Sequence, residues 1–150
     1  MYTHRFDNSA VQFALEHADS QIKALVLRLY GTGNLCSAKR DFIEVLERAT
    51  ARGVVVVATT QCQTGSVMLG HYAVGAALEE VGAISAADMT LEACICKLSY
   101  LFGRGDLSNE EISRLMPVSL RGEVTPAEDL PPPPFSERFG ALNVETRRRR

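Results

Sequence analysis

No apolar run in this 150-residue chain approaches the roughly 20 residues that a bilayer-spanning helix needs. The opening segment, Met1 to Asp7, lacks the apolar stretch of a secretory signal. Together these absences predict a cytoplasmic protein with no membrane partner. Charge of one sign is also missing. With 16 Lys and Arg against 18 Asp and Glu, the net charge is -2, so no overall basic field points to nucleic acid. Histidines are few and scattered (His4, His17, His71), and none of the four cysteines (Cys36, Cys62, Cys94, Cys96) forms a Cys-x-x-Cys pair, which argues against zinc. A disulfide framework would be out of place in a cytosolic chain of this size, so the cysteines read as small buried hydrophobes.

Motifs for nucleotide or acyl chemistry are absent as well. The turn Gly31-Thr-Gly33 invites a dinucleotide reading, but position 36 is Cys instead of a third glycine. The next strand ends in Thr59, Thr60, Gln61 and Cys62, without the required acidic residue. No Gly-Lys-Ser/Thr follows a glycine loop, and Gly65-Ser66 is not a Gly-x-Ser-x-Gly elbow. Nothing in the spacing brings Cys62 to His71 as a catalytic pair.

What is present is a hydrophobic pattern of α/β type. With 46% hydrophobic and 23% charged residues, the chain is long enough for one domain with a sizeable core. Residues 1–7 read as loose. A helix is expected from Ser9, with Gln12 completing a capping box. The near-continuous apolar run Ala24 to Tyr30 predicts a strand covered on both faces, broken by Arg28. Phe42, Val45, Leu46 and Ala49 give the stripe of an amphipathic helix over Ala38 to Arg52, stopped by Gly53. A second strand follows from Val54 to Thr59, and strand, helix, strand with short links is a βαβ unit with parallel strands. After a loop from Gly65 to Gly70, the small residues Ala73, Gly75, Ala76 and Ala77 predict a closely packed helix over Tyr72 to Val81. Asp88 or Thr90 then caps a helix through Phe102, with Leu91, Cys94, Ile95, Leu98 and Leu101 on its apolar face. Ser108 and Glu111 form a capping box for a last short helix. The fold class expected is α/β, a small parallel sheet flanked by helices, within residues 1–126. Residues 127–150, with prolines at 131–134 and arginines at 147–150, read as an extended or disordered tail. Two clear strands are few for so many helices, so either further strands hide in apparent loops or the chain is part of a larger protein.

Open α/β sheets bind ligands at the carboxyl edge of their strands. Both strand ends here carry polar groups: Arg28, Thr32 and Asn34 at the first, Thr60, Gln61 and Cys62 at the second. Such groups suit a small polar zwitterion. Arg28 has two readings. It either forms an internal salt bridge, to Asp88, Glu92 or Glu123, or grips a ligand carboxylate through two parallel hydrogen bonds. Asn34 either serves a ligand or shapes the glycine turn.

Several pieces, in one order and spacing over residues 24–125, carry a resemblance to a known family. They are Val26 to Asn34 (Val-Leu-Arg-Leu-Tyr-Gly-Thr-Gly-Asn), Arg52 to Val57, Thr60-Gln-Cys62, Gly65-Ser-Val67, Tyr72 to Gly75, Ala87-Asp-Met-Thr90, Glu92-Ala93, Lys97 to Leu101 and Leu120-Arg-Gly-Glu123. This set resembles the C-terminal domain of type I (cytosolic) L-asparaginases, shared by the 60 kDa lysophospholipase/asparaginase proteins. The resemblance implies hydrolysis of L-asparagine to aspartate and ammonia by a threonine nucleophile, with no metal or organic cofactor. The nucleophile motifs of that family belong to an N-terminal domain, and this sequence contains neither of them. No catalytic residue is therefore assigned here. Asn34 matches the residue that reaches the neighbouring subunit's substrate. Arg28, Thr60 and Cys62 match residues of a regulatory asparagine site. The partners implied are L-asparagine and either a second copy or a catalytic N-terminal domain. The alternatives are a non-catalytic amino-acid-binding or dimerisation module, and an asparaginase-like amidotransferase subunit.

Overall fold

A computed structural model of the chain describes residues 9–17, 21–31, 33, 40–71, 73–126 and 129. In chain order these form α1 (Ser9–Glu16), β1 (Ala24–Leu29), α2 (Arg40–Ala51), β2 (Val55–Thr60), a 3-10 turn (Leu69–His71), α3 (Ala73–Glu80), β3 (Ile84–Ser85), α4 (Leu91–Arg104) and α5 (Asn109–Leu115). The loose segment 1–7, the start of the helix expected at Ala38, and the tail from 127 (Asp129 apart) lie outside the described residues.

The valine-rich segment after Gly53 is the centre of the molecule. β-Branched side chains favour an extended backbone because their restricted rotamers pack well on a pleated surface. β2 is buried along its whole length and pairs in parallel with β1 on one side and β3 on the other. Alternation then sorts its residues between two cores. Val56 and Ala58 face one cluster with Leu15, Phe42, Leu46 and Leu78, from α1, α2 and α3. Val55 and Val57 face a second cluster with Cys94, Leu98, Leu101 and Ile112, from α4 and α5. Helices thus cover both faces of a three-stranded parallel sheet.

β3 is the strand concealed among the loops. Only Ile84 and Ser85 pair, with Val57 and Ala58. Two residues are too few to show a period of two. β1 is less covered than its apolar run suggested. It lies at a sheet edge among the described residues, and of its members only Leu29 is fully buried. Capping is where local sequence was most decisive. Thr90 accepts from the Ala93 amide at the start of α4, and Ser108 and Glu111 form the expected reciprocal capping box of α5. Ile95, expected on the apolar face of α4, is 47% exposed. The inward position of that turn is taken by Lys97, for a reason given below.

Gly75 is the small residue of α3 that close packing requires. A Cβ at this position would overlap the carbonyl of Leu69 in the 3-10 turn, and backbone cannot swing aside as a flexible side chain can. Gly75→Ala is therefore expected to destabilise the domain by about 1–3 kcal/mol, the usual cost of overpacking, despite the better helix propensity of alanine. The urea midpoint measures it, and an unchanged or higher midpoint would contradict this packing.

Candidate functional site

A parallel sheet brings the carboxyl ends of its strands to one edge, and here three of them meet a single cavity. Arg28 is the penultimate residue of β1, Thr60 is the last of β2, and the segment after β3 leads through Asp88 into the first turn of α4. Arg28, Thr60, Gln61, Cys62, Asp88 and Glu92 line a space of about 260 Å³. That is below the roughly 300–1,000 Å³ of sites for drug-sized ligands, and suits one small polar molecule.

Arg28 does not sit inside a buried strand as its neighbours suggested. It is exposed at the strand end, on the side of the sheet facing α4 and α5, as the alternation with Val26 requires. Among the described residues it forms no ion pair. Two of the three internal partners considered for it are engaged elsewhere. Asp88 accepts from the Thr125 amide and hydroxyl at 2.9 and 2.5 Å, and Glu123 pairs with Lys97 at 2.6 Å. Partial burial would raise the Asp88 carboxyl, but the Thr125 hydrogen bonds outweigh it and hold the group below its ordinary range. The third, Glu92, shares the cavity with Arg28 but forms no ion pair with it.

Thr60 shapes the rim. Its hydroxyl donates to the Gly31 carbonyl at 2.7 Å and accepts from the Cys62 amide at 3.0 Å. One side chain thus ties the glycine turn after β1 to the loop after β2 and sets the position of Cys62. The turn itself needs glycine, since Gly31 and Gly33 both have positive φ, at 54° and 140°. Gln61 adds a second tie, from its Nε2 to the Arg28 carbonyl at 3.1 Å. Asn34 and Thr32 lie outside the described residues.

The third wall is the start of α4. Thr90, Leu91 and Glu92 line the cavity, so the amino end of a 14-residue helix opens on it. The unpaired amides there favour negative charge, which adds to the guanidinium of Arg28. Ala87, just before this wall, is held in the left-handed region at φ 49°, uncommon for a residue with a Cβ. The sequence pattern singled out the two strand ends but not this helix start. The Thr90 cap was legible; that it faces the same cavity depends on β3, which was not.

Cys62 and Cys96 are exposed, against the expectation of buried cysteines, while Cys94 is buried and its thiol is pushed up to about 11 by burial, against the opposing pull of nearby Lys97. Cys36 lies outside the described residues. Among the described residues no three His, Cys, Asp or Glu side chains are grouped to hold a metal ion, and no helix is long and apolar enough to cross a membrane.

A second space, of about 390 Å³, lies away from the strand ends beside Tyr100, Leu115 and Leu120. At its wall the buried Lys97 donates to the Met116 and Val118 carbonyls at 2.8 and 2.5 Å and pairs with Glu123. Glu123 in turn accepts from the Leu120 and Arg121 amides. Two of the sequence pieces singled out above, Lys97 to Leu101 and Leu120 to Glu123, thereby form one structural clamp.

The family model described as "Glutaminase/Asparaginase C-terminal domain" matches residues 2–116. L-asparaginase 1 of Escherichia coli (strain K12) is 49% identical over 105 residues, which are 70% of this chain and 30% of that protein. The 60 kDa lysophospholipase of Homo sapiens is 42% identical over 125 residues, 83% of this chain and 20% of that protein. The crystal structure of L-asparaginase I from Vibrio cholerae is similar with a TM-score of 0.72 and 38% identity, over 83% of this chain and 36% of that one. The chain therefore spans only 20% to 36% of the length of these relatives.

Proposed function

The chain belongs to the glutaminase/asparaginase C-terminal domain family, and on that premise we propose that it serves an L-asparaginase of the cytoplasm, which hydrolyses L-asparagine to L-aspartate and ammonia. In this reading a threonine hydroxyl of a separate N-terminal half attacks the side-chain amide. Ammonia leaves, and water cleaves the acyl-enzyme. This chain supplies no nucleophile. Its part is to pack against that half and a second copy, to lend Asn34 to the neighbouring subunit's substrate, and to bind L-asparagine as an effector through Arg28, Thr60 and Cys62. Thr60 acts by holding the rim in shape; Arg28 grips the α-carboxylate. No metal or organic cofactor enters this reaction.

The observation that carries the reading is the single small cavity shared by Arg28, Thr60 and Cys62. These residues come from two strand ends, and their meeting in one space fits a common ligand. The guanidinium there is not used by any ion pair among the described residues.

Ammonia release is the test. The purified chain with L-asparagine is expected to release none above background. Fused behind the N-terminal part of E. coli L-asparaginase 1, in place of that protein's own C-terminal part, it is expected to support hydrolysis. Ammonia from the chain alone would overturn the division of labour. A folded but silent fusion that still binds L-asparagine would leave an amino-acid-binding module instead.

A further inference from the structure

The effector cavity holds a second charged group with nothing to do. Glu92 lines the same 260 Å³ space as Arg28, from the first turn of α4. Its carboxylate makes no hydrogen bond or ion pair among the described residues, unlike Asp88, whose two oxygens are both taken by Thr125. Arg28 and Glu92 are thus a cation and an anion lining one space without forming an ion pair with each other. An α-amino acid presents the complementary pair, a carboxylate and an ammonium on one carbon.

Resting on the effector reading above, we infer that Glu92 is the specificity-determining residue of this cavity: it receives the ligand's ammonium and turns away ligands with a second carboxylate. The ligand class that follows is an α-amino acid with a neutral, amide-bearing side chain. L-Aspartate differs from L-asparagine by one negative charge at nearly the same size. In a space this small its extra carboxylate comes close to Glu92, and like charges brought together are disfavoured even where, as here, the Arg28 and Glu92 side chains both reach solvent. The site would therefore sense the substrate of the proposed reaction and ignore the product.

A plainer role for Glu92 exists, since an acidic residue in a first helical turn stabilises the helix. Calorimetric titration separates the two. L-Asparagine and L-aspartate are titrated in turn into the chain and its Glu92→Gln variant, with thermal melts of both proteins. The native chain is expected to prefer L-asparagine by about tenfold or more. Glu92→Gln is expected to weaken L-asparagine and strengthen L-aspartate, so that the preference collapses. A variant that melts lower but keeps the same preference would overturn the inference while leaving the effector reading intact. Absence of binding by either amino acid to the native chain would overturn both.

Discussion

Arg28→Ala is expected to lower the affinity of the chain for L-asparagine by about 10- to 100-fold. The figure follows from losing hydrogen bonds to a charged group, each worth about 1.5–3 kcal/mol. Arg28→Lys should fall between, because an ammonium is a point charge and cannot match a carboxylate with two parallel donors. Neither substitution should disturb the fold. Arg28 is exposed and holds no ion pair among the described residues. Surface changes of that kind usually stay within about 0.5 kcal/mol. Isothermal titration with parallel thermal melts tests this. Unchanged affinity in Arg28→Ala would remove Arg28 from the site, and a large drop in stability would mean that it serves the fold.

Lys97→Met should have the largest effect on stability. The Lys97 ammonium is nearly inaccessible and satisfies three acceptors: the Met116 and Val118 carbonyls and the Glu123 carboxylate. These anchor the end of α5 and the following segment onto α4. Removing the cation leaves two carbonyls short of a donor and Glu123 without its counter-charge. Breaking a buried pair by deleting one partner costs about 3–5 kcal/mol, which is a large part of the usual 5–15 kcal/mol of a small domain. Replacing both partners, Lys97→Met with Glu123→Leu, should recover part of the loss, because no buried charge is then stranded. Urea denaturation measures all three proteins. A loss under about 1 kcal/mol in Lys97→Met would contradict the clamp.

Acid should loosen the same contact. Partial burial would raise the Glu123 carboxyl, but the hydrogen bond from Lys97 and the loop amides outweigh it and lower the group from 4.5 to about 2. A carboxyl lowered in the folded state binds its proton more readily when unfolded. Its contribution is therefore complete above about pH 4.5 and is lost as pH falls toward about 2. The stability of Glu123→Gln should accordingly vary less than that of the native chain across this window.

Legibility in the sequence followed the strength of local signals. The valine run of β2, the apolar stripe of α2 and the Ser108–Glu111 box each act through neighbours in the chain, and each formed as expected. β3 escaped because its pairing depends on β2 alone and spans two residues. Ile95 was expected on the apolar face of α4 and is exposed, whereas Lys97, given no place there, is buried, because a hydrophobicity pattern treats lysine as solvent-facing. It has no means of anticipating that two carbonyls and a carboxylate, some twenty residues downstream, converge on the amine. At the candidate site, the shared position of Arg28, Thr60 and Cys62 at one cavity was legible because strand ends of a parallel sheet share an edge, a topological rule that needs no contact map. Glu92 was seen only as a possible salt-bridge partner, since its cavity position depends on the unseen β3.

The most direct test of the account is an amide NMR titration of the chain with L-asparagine. The shifts are expected to concentrate at Arg28, Gln61, Cys62 and the Thr90–Glu92 turn, with the Lys97–Leu120 cavity unmoved. Saturable shifts confined to that second cavity, or none anywhere at saturating L-asparagine, would contradict it.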